Sequence, residues 1–254
     1  MENNSEANDL IELGFFVKDI PEIKPELESL RNEIFDVFSC IAQRAGYGAV
    51  KSDKELIGFH RKYQKEQFRA LKLLWGSPVL MRLSGLGIII EILKEIGFER
   101  PILELPPLLR CDMPVTNQSI FSQHQDYAYN IGSDNSVTVW IPLQDTNEES
   151  GALLCAAGSH KEGIYPNLQG IITEDHQFDF DPCPVKLGEV LVFDQKLVHQ
   201  SGFNQSDKVR FSIQLRFSDL GDAGYADRGY PINHKVTTER YEAETSIASS
   251  GKCC

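Results

Sequence analysis

The sequence lacks an excess of basic residues and has no long hydrophobic run. Its 254 residues carry 37 acidic and 25 basic side chains, for a formal net charge of −12. It therefore offers no basic surface of the kind that nucleic acids or anionic membranes attract. Its longest apolar run, near Leu86–Leu93, is too short to span a bilayer. We expect a partner that is neither nucleic acid nor membrane.

The sequence also lacks a regular cysteine pattern and a recognisable leader. The six cysteines are scattered and form no C-x-x-C pair, which disfavours a disulfide framework. The segment Met1–Glu6 is polar and acidic, unlike a signal or transit peptide. Both features favour the reducing cytoplasm. We expect Cys253 and Cys254 to lie in an unstructured tail.

The composition is that of a soluble globular protein. Hydrophobic residues make up 41% of the chain and charged residues 24%, and a single core is feasible at this length. We expect one domain over residues 1–254. Its parts are a helical segment over about 10–100, a β-rich core over about 101–220 and a polar tail over about 221–254.

The two main parts differ in hydrophobic period. Apolar residues at three- and four-residue spacing predict helices over about 25–46, 54–74 and 78–97, after a short strand at Gly14–Val17. Strands separated by turn residues are then predicted at Leu108–Met113, Ser136–Leu143, Ala152–Ala157, Val185–Asp194 and Arg210–Phe217. No helical pattern lies between these strands, so the sequence favours an antiparallel sandwich, barrel or jelly roll over a parallel α/β fold.

One histidine and one carboxylate are spaced for shared metal binding. His124 and Asp126 are two residues apart, so on an extended backbone their side chains project to the same side. His199 follows a predicted strand and is suited to complete the set. Two histidines and one carboxylate leave coordination positions open, as in non-haem iron(II) oxygenases. The His-x-Asp triplet alone is weak, because such triplets also arise by chance.

An arginine strengthens this interpretation. Arg210 lies 210 − 199 = 11 residues after His199 and opens a strand in which polar and apolar residues alternate strictly. A guanidinium suits a bidentate grip on a carboxylate. An oxygenase that uses 2-oxoglutarate needs such a cation for the far carboxylate of this co-substrate.

Over about residues 109–220 the sequence resembles the phytanoyl-CoA dioxygenase (PhyH) family of Fe(II)/2-oxoglutarate-dependent oxygenases. The matching segments, which agree with the family in order and spacing, are His124-Gln125-Asp126, Tyr127, Tyr129-Asn130, Val139–Leu143, Ser150–Leu153, Gly158–Lys161, Gly188–Val190, His199-Gln200-Ser201 and Arg210. The resemblance implies an α+β, mainly β fold. Its core would be a double-stranded β-helix (a jelly-roll, cupin-like arrangement) buttressed by N-terminal helices.

The resemblance also implies roles for individual residues. It makes His124, Asp126 and His199 the ligands of Fe(II), and Arg210 the anchor of 2-oxoglutarate. Ser201 would hydrogen-bond the same carboxylate.

Other residues are predicted to line the pocket. The resemblance places Trp140 at the co-substrate, and Arg110, which ends an apolar run, is expected to face the cavity. Tyr127, Tyr129 and Asn130 follow the metal motif and are predicted to contact substrate.

The activity implied by the resemblance is hydroxylation of a small-molecule metabolite. Dioxygen and 2-oxoglutarate would be consumed and succinate and carbon dioxide released, with ascorbate as an additive in vitro. The carboxylate of Asp126 favours hydroxylation, because related halogenases carry a small residue there. The sequence specifies neither the substrate nor the oligomeric state.

Alternative functions remain open at this point. A cupin-like metal enzyme that does not use 2-oxoglutarate would not require Arg210, and a non-catalytic β-sandwich binding protein would bind no iron. An oxygenase that acts on a protein or a nucleic acid is a further alternative, although the acidic charge disfavours nucleic acid.

Overall fold

The computed structural model describes residues 5–114, 122–129, 132–168, 170–173 and 176–232. The helices are α1 Ser5–Glu12, α2 Lys24–Arg44, α3 Asp53–Lys62, α4 Gln64–Leu74, α5 Pro78–Ser84, α6 Gly87–Glu95 and α7 Ala223–Asp227. The strands are β1 Phe15–Asp19, β2 Pro101–Asp112, β3 Ser136–Pro142, β4 Leu153–Cys155, β5 Asn167–Leu168, β6 Ile171–Ile172, β7 Asp181–Cys183, β8 Glu189–Asp194, β9 His199–Gln200 and β10 Arg210–Asp219.

The N-terminal helices follow the predicted apolar spacing, with two differences. Helix α2 buries Leu27, Leu30, Ile34 and Phe38, which lie on one face because they are three or four residues apart. The single helix predicted over 54–74 is instead two helices that meet at Tyr63, whose φ of −136° and ψ of 54° are not helical. The helical segment predicted over about 78–97 is divided at Gly85, since α5 ends before Gly85 and α6 begins at Gly87.

A five-stranded antiparallel sheet forms the larger half of the β core, in the order β1-β8-β3-β10-β2. Alternate residues of each strand face opposite sides. The apolar residues Phe211, Ile213, Leu215 and Phe217 of β10 pack with the helices in one hydrophobic core. The polar residues between them, beginning with Arg210, therefore face the interior of the β core.

A smaller sheet covers this interior face. It has the order β7-β4-β9, and the β5–β6 hairpin joins it through the segment at His124. Trp140 of β3 and Leu191 of β8 pack against Leu153 of β4 and Cys183 of β7 in a second hydrophobic cluster. Two antiparallel sheets facing each other, with helices outside the larger one, confirm the predicted α+β, double-stranded β-helix fold.

The strands differ from prediction mainly in length. Strand β2 begins at Pro101 and β10 ends at Asp219, whereas β5, β6 and β7 are short strands in a segment with no strand pattern. The predicted polar tail contains α7, and residues 233–254, including Cys253 and Cys254, lie outside the described residues. Among the described helices no single one is long and apolar enough to cross a membrane. Only the pair Gln64–Leu74 and Pro78–Glu95 passes on length and composition, and it is bent by 51°.

Candidate metal centre

His124 lies where the smaller sheet borders the interior of the β core. Its backbone exchanges two hydrogen bonds of 3.0 Å with His199, the first residue of β9. It also forms an antiparallel bridge with Ile171 of β6. The centroids of the two imidazole rings are 4.2 Å apart. Backbone pairing between distant segments thus brings these side chains together.

Asp126 reaches the same point through one extended residue. Gln125 has φ −119° and ψ 128°, so His124 and Asp126 project to the same side, as the sequence predicts. The amide of Gln125 donates hydrogen bonds to the carbonyls of Gly163 and Lys196. These contacts fix the segment that carries both side chains.

The structure gathers His124, Asp126 and His199 around one point. Nε2 of His124 is 3.6 Å from Oδ1 of Asp126, and Nε2 of His199 is 3.9 Å from the same oxygen. One nitrogen or oxygen atom from each residue lies within 4.8 Å of the other two, and all three residues are buried. This spacing suits three ligands of one ion.

The hydrogen bonds of the imidazoles orient their lone pairs toward that point. Nδ1 of His124 lies 2.7 Å from the carbonyl oxygen of Ser122, and Nδ1 of His199 lies 3.0 Å from that of Leu197. A carbonyl only accepts, so each Nδ1 carries the hydrogen and each Nε2 keeps a lone pair. Burial, with a contribution from His124, lowers the pKa of His199 to about 3. This ring is therefore neutral at pH 7.

The carboxylate of Asp126 is held on both oxygens. Nη2 of Arg216 donates to Oδ1 at 2.9 Å, and Oγ1 of Thr138 donates to Oδ2 at 2.7 Å. Burial favours a raised pKa of Asp126, but the charge of Arg216 holds this pKa well below its ordinary value. Asp126 is therefore ionised and oriented.

A small cavity adjoins the imidazoles of His124 and His199, with a volume of about 20 Å³. A cavity of this size has room for about one water molecule. Its lining mixes apolar and polar side chains, and comprises Trp75, Leu108, Leu109, Arg110, His124, Tyr129, Leu153, His199, Ser201, Gln214 and Arg216. A ligand bound here would touch both imidazoles and several hydrogen-bond donors.

Arg210 lies deeper in the β core and shares a carboxylate with Arg110. Nη2 of Arg210 and Nη2 of Arg110 each lie 2.7 Å from an oxygen of Asp112, and Nε of Arg110 lies 3.4 Å from the second oxygen. Burial favours a raised pKa of Asp112, but the two guanidinium groups lower it to about 2. Two buried cations thus share one buried anion. Arg210 is 2% exposed. It is therefore a buried residue and not a surface residue paired with Asp207 or Asp219.

Several buried donors on this face lack a partner among the described residues. They are Nε and Nη1 of Arg210, Oγ of Ser212 and Nε1 of Trp140. Ser212 is two residues from Arg210 on β10, and Gln214, the next inward residue, pairs across the sheet with Trp140. Buried polar groups normally have partners, so these donors mark a place that suits an anionic or hydrogen-bonding ligand.

The remaining predicted residues fall into two groups. Arg110, Ser201 and Tyr129 line the cavity. Trp140 is fully buried beside Leu153 and Phe193. Tyr127 is turned away, because its hydroxyl donates to Asp134 at 2.9 Å and Lys196 lies over its ring.

The backbone explains why the two tyrosines differ. Residues 126–128 form a 3₁₀ turn, in which side chains three residues apart eclipse each other. Tyr129 therefore follows the direction of Asp126, whereas Tyr127 does not. Asn130 lies outside the described residues.

Sequence reasoning missed Asp112, Thr138 and Arg216. A usable signal existed for each one. Arg216 is six residues after Arg210 on an alternating strand, Asp112 is two after Arg110, and Thr138 is two before Trp140. An even spacing places side chains on one face of a strand. It does not show which partner each side chain meets.

Comparison with known proteins agrees with the sequence motifs. Residues 112–212 match the model of the phytanoyl-CoA dioxygenase (PhyH) family. The chain is 29% identical over 150 residues to "Phytanoyl-CoA dioxygenase 1" of Oryza sativa subsp. japonica, covering 50% of this chain and 53% of that protein. It is 32% identical over 150 residues to "Phytanoyl-CoA dioxygenase domain-containing protein 1" of Danio rerio, covering 53% and 50%. The match thus spans about half the length of these relatives.

Solved structures show the same fold. The epimerase SnoN, in complex with Fe3+, alpha ketoglutarate and nogalamycin RO, is similar with a TM-score of 0.61 at 17% identity, over 85% of this chain and 83% of that one. The nickel complex of the non-heme monooxygenase ThoJ is similar with a TM-score of 0.60 at 20% identity, over 84% and 76%. The sequence matches and the shared fold together confirm the resemblance to the phytanoyl-CoA dioxygenase (PhyH) family, whose model covers residues 112–212 of this chain.

Proposed function

We propose that this protein is a non-haem Fe(II)/2-oxoglutarate-dependent dioxygenase that hydroxylates a small molecule, with release of succinate and carbon dioxide. The observation that carries the proposal is the meeting of His124, Asp126 and His199 at one buried point, with both Nε2 atoms and a carboxylate oxygen presented to it. The match of residues 112–212 to the phytanoyl-CoA dioxygenase (PhyH) family model supports the same activity.

The three residues fit an iron(II) ion chemically. Neutral imidazoles and an ionised carboxylate are good ligands for this ion, and three protein ligands leave coordination positions open. Hydrogen bonds from each Nδ1 to a carbonyl and from Thr138 to Asp126 are the outer contacts that orient metal ligands in proteins. Bound with 2-oxoglutarate, iron(II) supplies dioxygen activation and transfer of one oxygen atom to a C–H bond.

The buried donors near Arg210 fit the co-substrate. Arg210 is buried beside Asp112, and its Nε and Nη1 lack partners among the described residues. A carboxylate there would accept both hydrogen bonds. We assign this role to the far carboxylate of 2-oxoglutarate, with Trp140 and Ser201 as additional donors.

The rest of the cavity orients substrate and limits water. Trp75, Leu108 and Leu153 provide apolar walls, and Tyr129 lies beside the ring of His124, with centroids 5.7 Å apart. At about 20 Å³ the cavity holds about one water molecule, so these side chains must move apart to admit a substrate. The substrate would lie next to the metal while the apolar walls exclude bulk water.

Succinate release tests the proposal. Purified protein with Fe(II), ascorbate and 2-oxoglutarate is expected to release succinate with at least one member of a panel of small metabolites. Arg210→Ala should raise the KM for 2-oxoglutarate by about tenfold or more, and His124→Ala should abolish turnover.

The same assay separates the alternatives. Turnover that survives Arg210→Ala without change would favour a metal enzyme that does not use 2-oxoglutarate. A protein that binds no metal and releases no succinate with any substrate would be a binding protein.

A further inference from the structure

Arg216 occupies an unusual position for a buried arginine. Its Nη2 donates at 2.9 Å to Oδ1 of Asp126 and at 2.9 Å to Oε1 of Gln214. Its side chain is 95% buried, and its Nε has no hydrogen-bond partner among the described residues. A guanidinium that is fully engaged with a carboxylate makes two parallel hydrogen bonds. Arg216 holds Asp126 through one nitrogen only, so its fit to this partner is incomplete.

The oxygen that Arg216 binds is also the one that faces both histidines. Oδ1 of Asp126 lies 3.6 Å from Nε2 of His124 and 3.9 Å from Nε2 of His199. A metal ion held by the three residues would therefore bind this oxygen. A guanidinium and a divalent cation that share one oxygen atom repel each other strongly in a buried site. Arg216 and the metal thus compete for Oδ1.

The side chain of Arg216 also faces the cavity, where a different anion can bind. Its side chain already lines the cavity together with Ser201 and Gln214. The ladder between β10 and β2 is irregular between Gln214 and Arg216, and such irregularities re-aim side chains. Glu104 lies across the ladder from Arg216 and accepts hydrogen bonds from Gln195 and Ser218 through one oxygen, Oε1, whereas a ligand in the cavity would present its carboxylate at the surface that Arg216 already lines. We take that ligand carboxylate as the anion that would satisfy the displaced guanidinium.

We propose that Arg216 changes its ion-pair partner when a divalent metal binds. It pairs with Asp126 in the metal-free protein and, once the metal is bound to Oδ1 of Asp126, binds a carboxylate of the small molecule in the cavity. The proposal rests on the proposed function, since it assumes a metal at His124, Asp126 and His199. It makes Arg216 a ligand-binding residue of this chain. The carboxylate belongs either to the co-substrate or to the substrate.

A comparison with Thr138 distinguishes the proposed role of Arg216 from a purely structural one. Its hydroxyl holds Oδ2 of Asp126 at 2.7 Å, away from the shared oxygen. Asp126 therefore stays oriented when Arg216 leaves. If so, neutralising Arg216 removes a competitor of the metal, whereas removing the Thr138 hydroxyl removes a support.

Calorimetric titration with Mn(II), in the absence of any carboxylate, tests the first half. Arg216→Gln should bind Mn(II) about tenfold more tightly than wild type, and Thr138→Val about tenfold more weakly. Arg216→Lys retains the charge and should stay close to wild type. Weaker Mn(II) binding by Arg216→Gln would overturn the proposal, because Arg216 would then support Asp126. Wild-type protein that binds no Mn(II), while folded, would overturn the proposed function and this inference with it.

Binding of carboxylates to the Mn(II)-loaded protein tests the second half in two arms. The first arm uses N-oxalylglycine, an unreactive analogue of 2-oxoglutarate. The second adds hexanoate or phenylacetate to the N-oxalylglycine complex, with the corresponding neutral amides as matched controls.

Arg216→Gln should weaken binding by about tenfold in one arm. A loss in the first arm assigns the carboxylate to the co-substrate. A loss in the second arm that spares the amides assigns it to the substrate. Unchanged affinity in both arms would overturn the proposal.

A measurement on wild-type protein guards against variants that fail to fold. With ¹⁵N-labelled arginine, the Nε–H signal of Arg216 should shift when Zn(II) is added and shift again when N-oxalylglycine or phenylacetate follows. An Arg216 signal that responds to neither addition would overturn the proposal.

Discussion

Asp112 balances two buried arginines, so removing its charge should destabilise the protein strongly. The carboxylate of Asp112 lies 2.7 Å from the guanidinium groups of Arg110 and Arg210. In Asp112→Asn this side chain becomes a neutral amide, so both guanidinium groups lose the negative charge of Asp112. Breaking a buried ion pair by neutralising one partner costs about 3–5 kcal/mol. For a chain of this length that corresponds to a fall in Tm of roughly 10 °C.

The acid dependence of stability gives an independent magnitude. The two arginines lower the pKa of Asp112 from 3.8 to about 2. A carboxyl with a lowered pKa stabilises the folded state above its unfolded pKa and loses this contribution as pH falls through its folded pKa. The difference of about 1.8 units corresponds to about 2 kcal/mol, lost between about pH 4 and pH 2. Asp112→Asn should lack this part of the acid dependence.

Urea unfolding of the metal-free protein, at pH 7 and at several values down to pH 2, measures both effects. Glu26→Gln is the matched control, because it neutralises a carboxylate that pairs with Arg82, an arginine that is half exposed. It should cost less than about 1 kcal/mol. If Asp112→Asn is as stable as this control, the claim that Asp112 balances two buried cations is wrong.

Three further predictions concern residues around the cavity. Burial lowers the pKa of His199 from 6.5 to about 3. The unfolding free energy of the metal-free protein should therefore fall as pH drops from 6.5 toward 3. Urea titrations of His199→Asn should lack this part of the pH dependence. Gly170 has φ +84°, and a Cβ atom there would overlap the ring of Tyr129. Gly170→Ala should therefore displace that ring and raise the substrate KM in the succinate assay. Gly46→Ala, at φ +78° with open space around it and outside the site, should leave that KM unchanged. Trp140→Phe removes an unpartnered N–H; calorimetry should show weaker N-oxalylglycine binding by about tenfold, and equal affinity would remove Trp140 from the co-substrate site.

The pairing of His124 with Asp126 in the candidate metal site was predictable from a local sequence rule. One extended residue separates His124 from Asp126, so their spacing alone placed both side chains on one side. The strict alternation after Arg210 likewise fixed which face of β10 is polar. The approach of His199 to His124 was not readable from spacing, because it depends on backbone pairing between segments 75 residues apart (199 − 124).

The contacts among charged side chains were not predictable in the same way. Arg216 and Asp126 are 90 residues apart, and Arg210 and Asp112 are 98 apart. Strand periodicity places each of them inside the β core, but the partner of each arginine depends on sheet order and register. Tyr127 and Tyr129 show a different limit, since the 3₁₀ turn after Asp126 makes Tyr129, and not Tyr127, follow the direction of Asp126.

Anaerobic titration of Fe(II) into wild-type protein and Asp126→Ala, followed by calorimetry, tests the central claim most directly. Asp126 supplies the one carboxylate of the three-residue set, so the account predicts one binding event in the wild type and affinity about a hundredfold or more weaker in the variant. Circular dichroism would establish that the variant is folded. Equal Fe(II) affinity in wild type and variant would contradict the assignment of His124, Asp126 and His199 as the metal site.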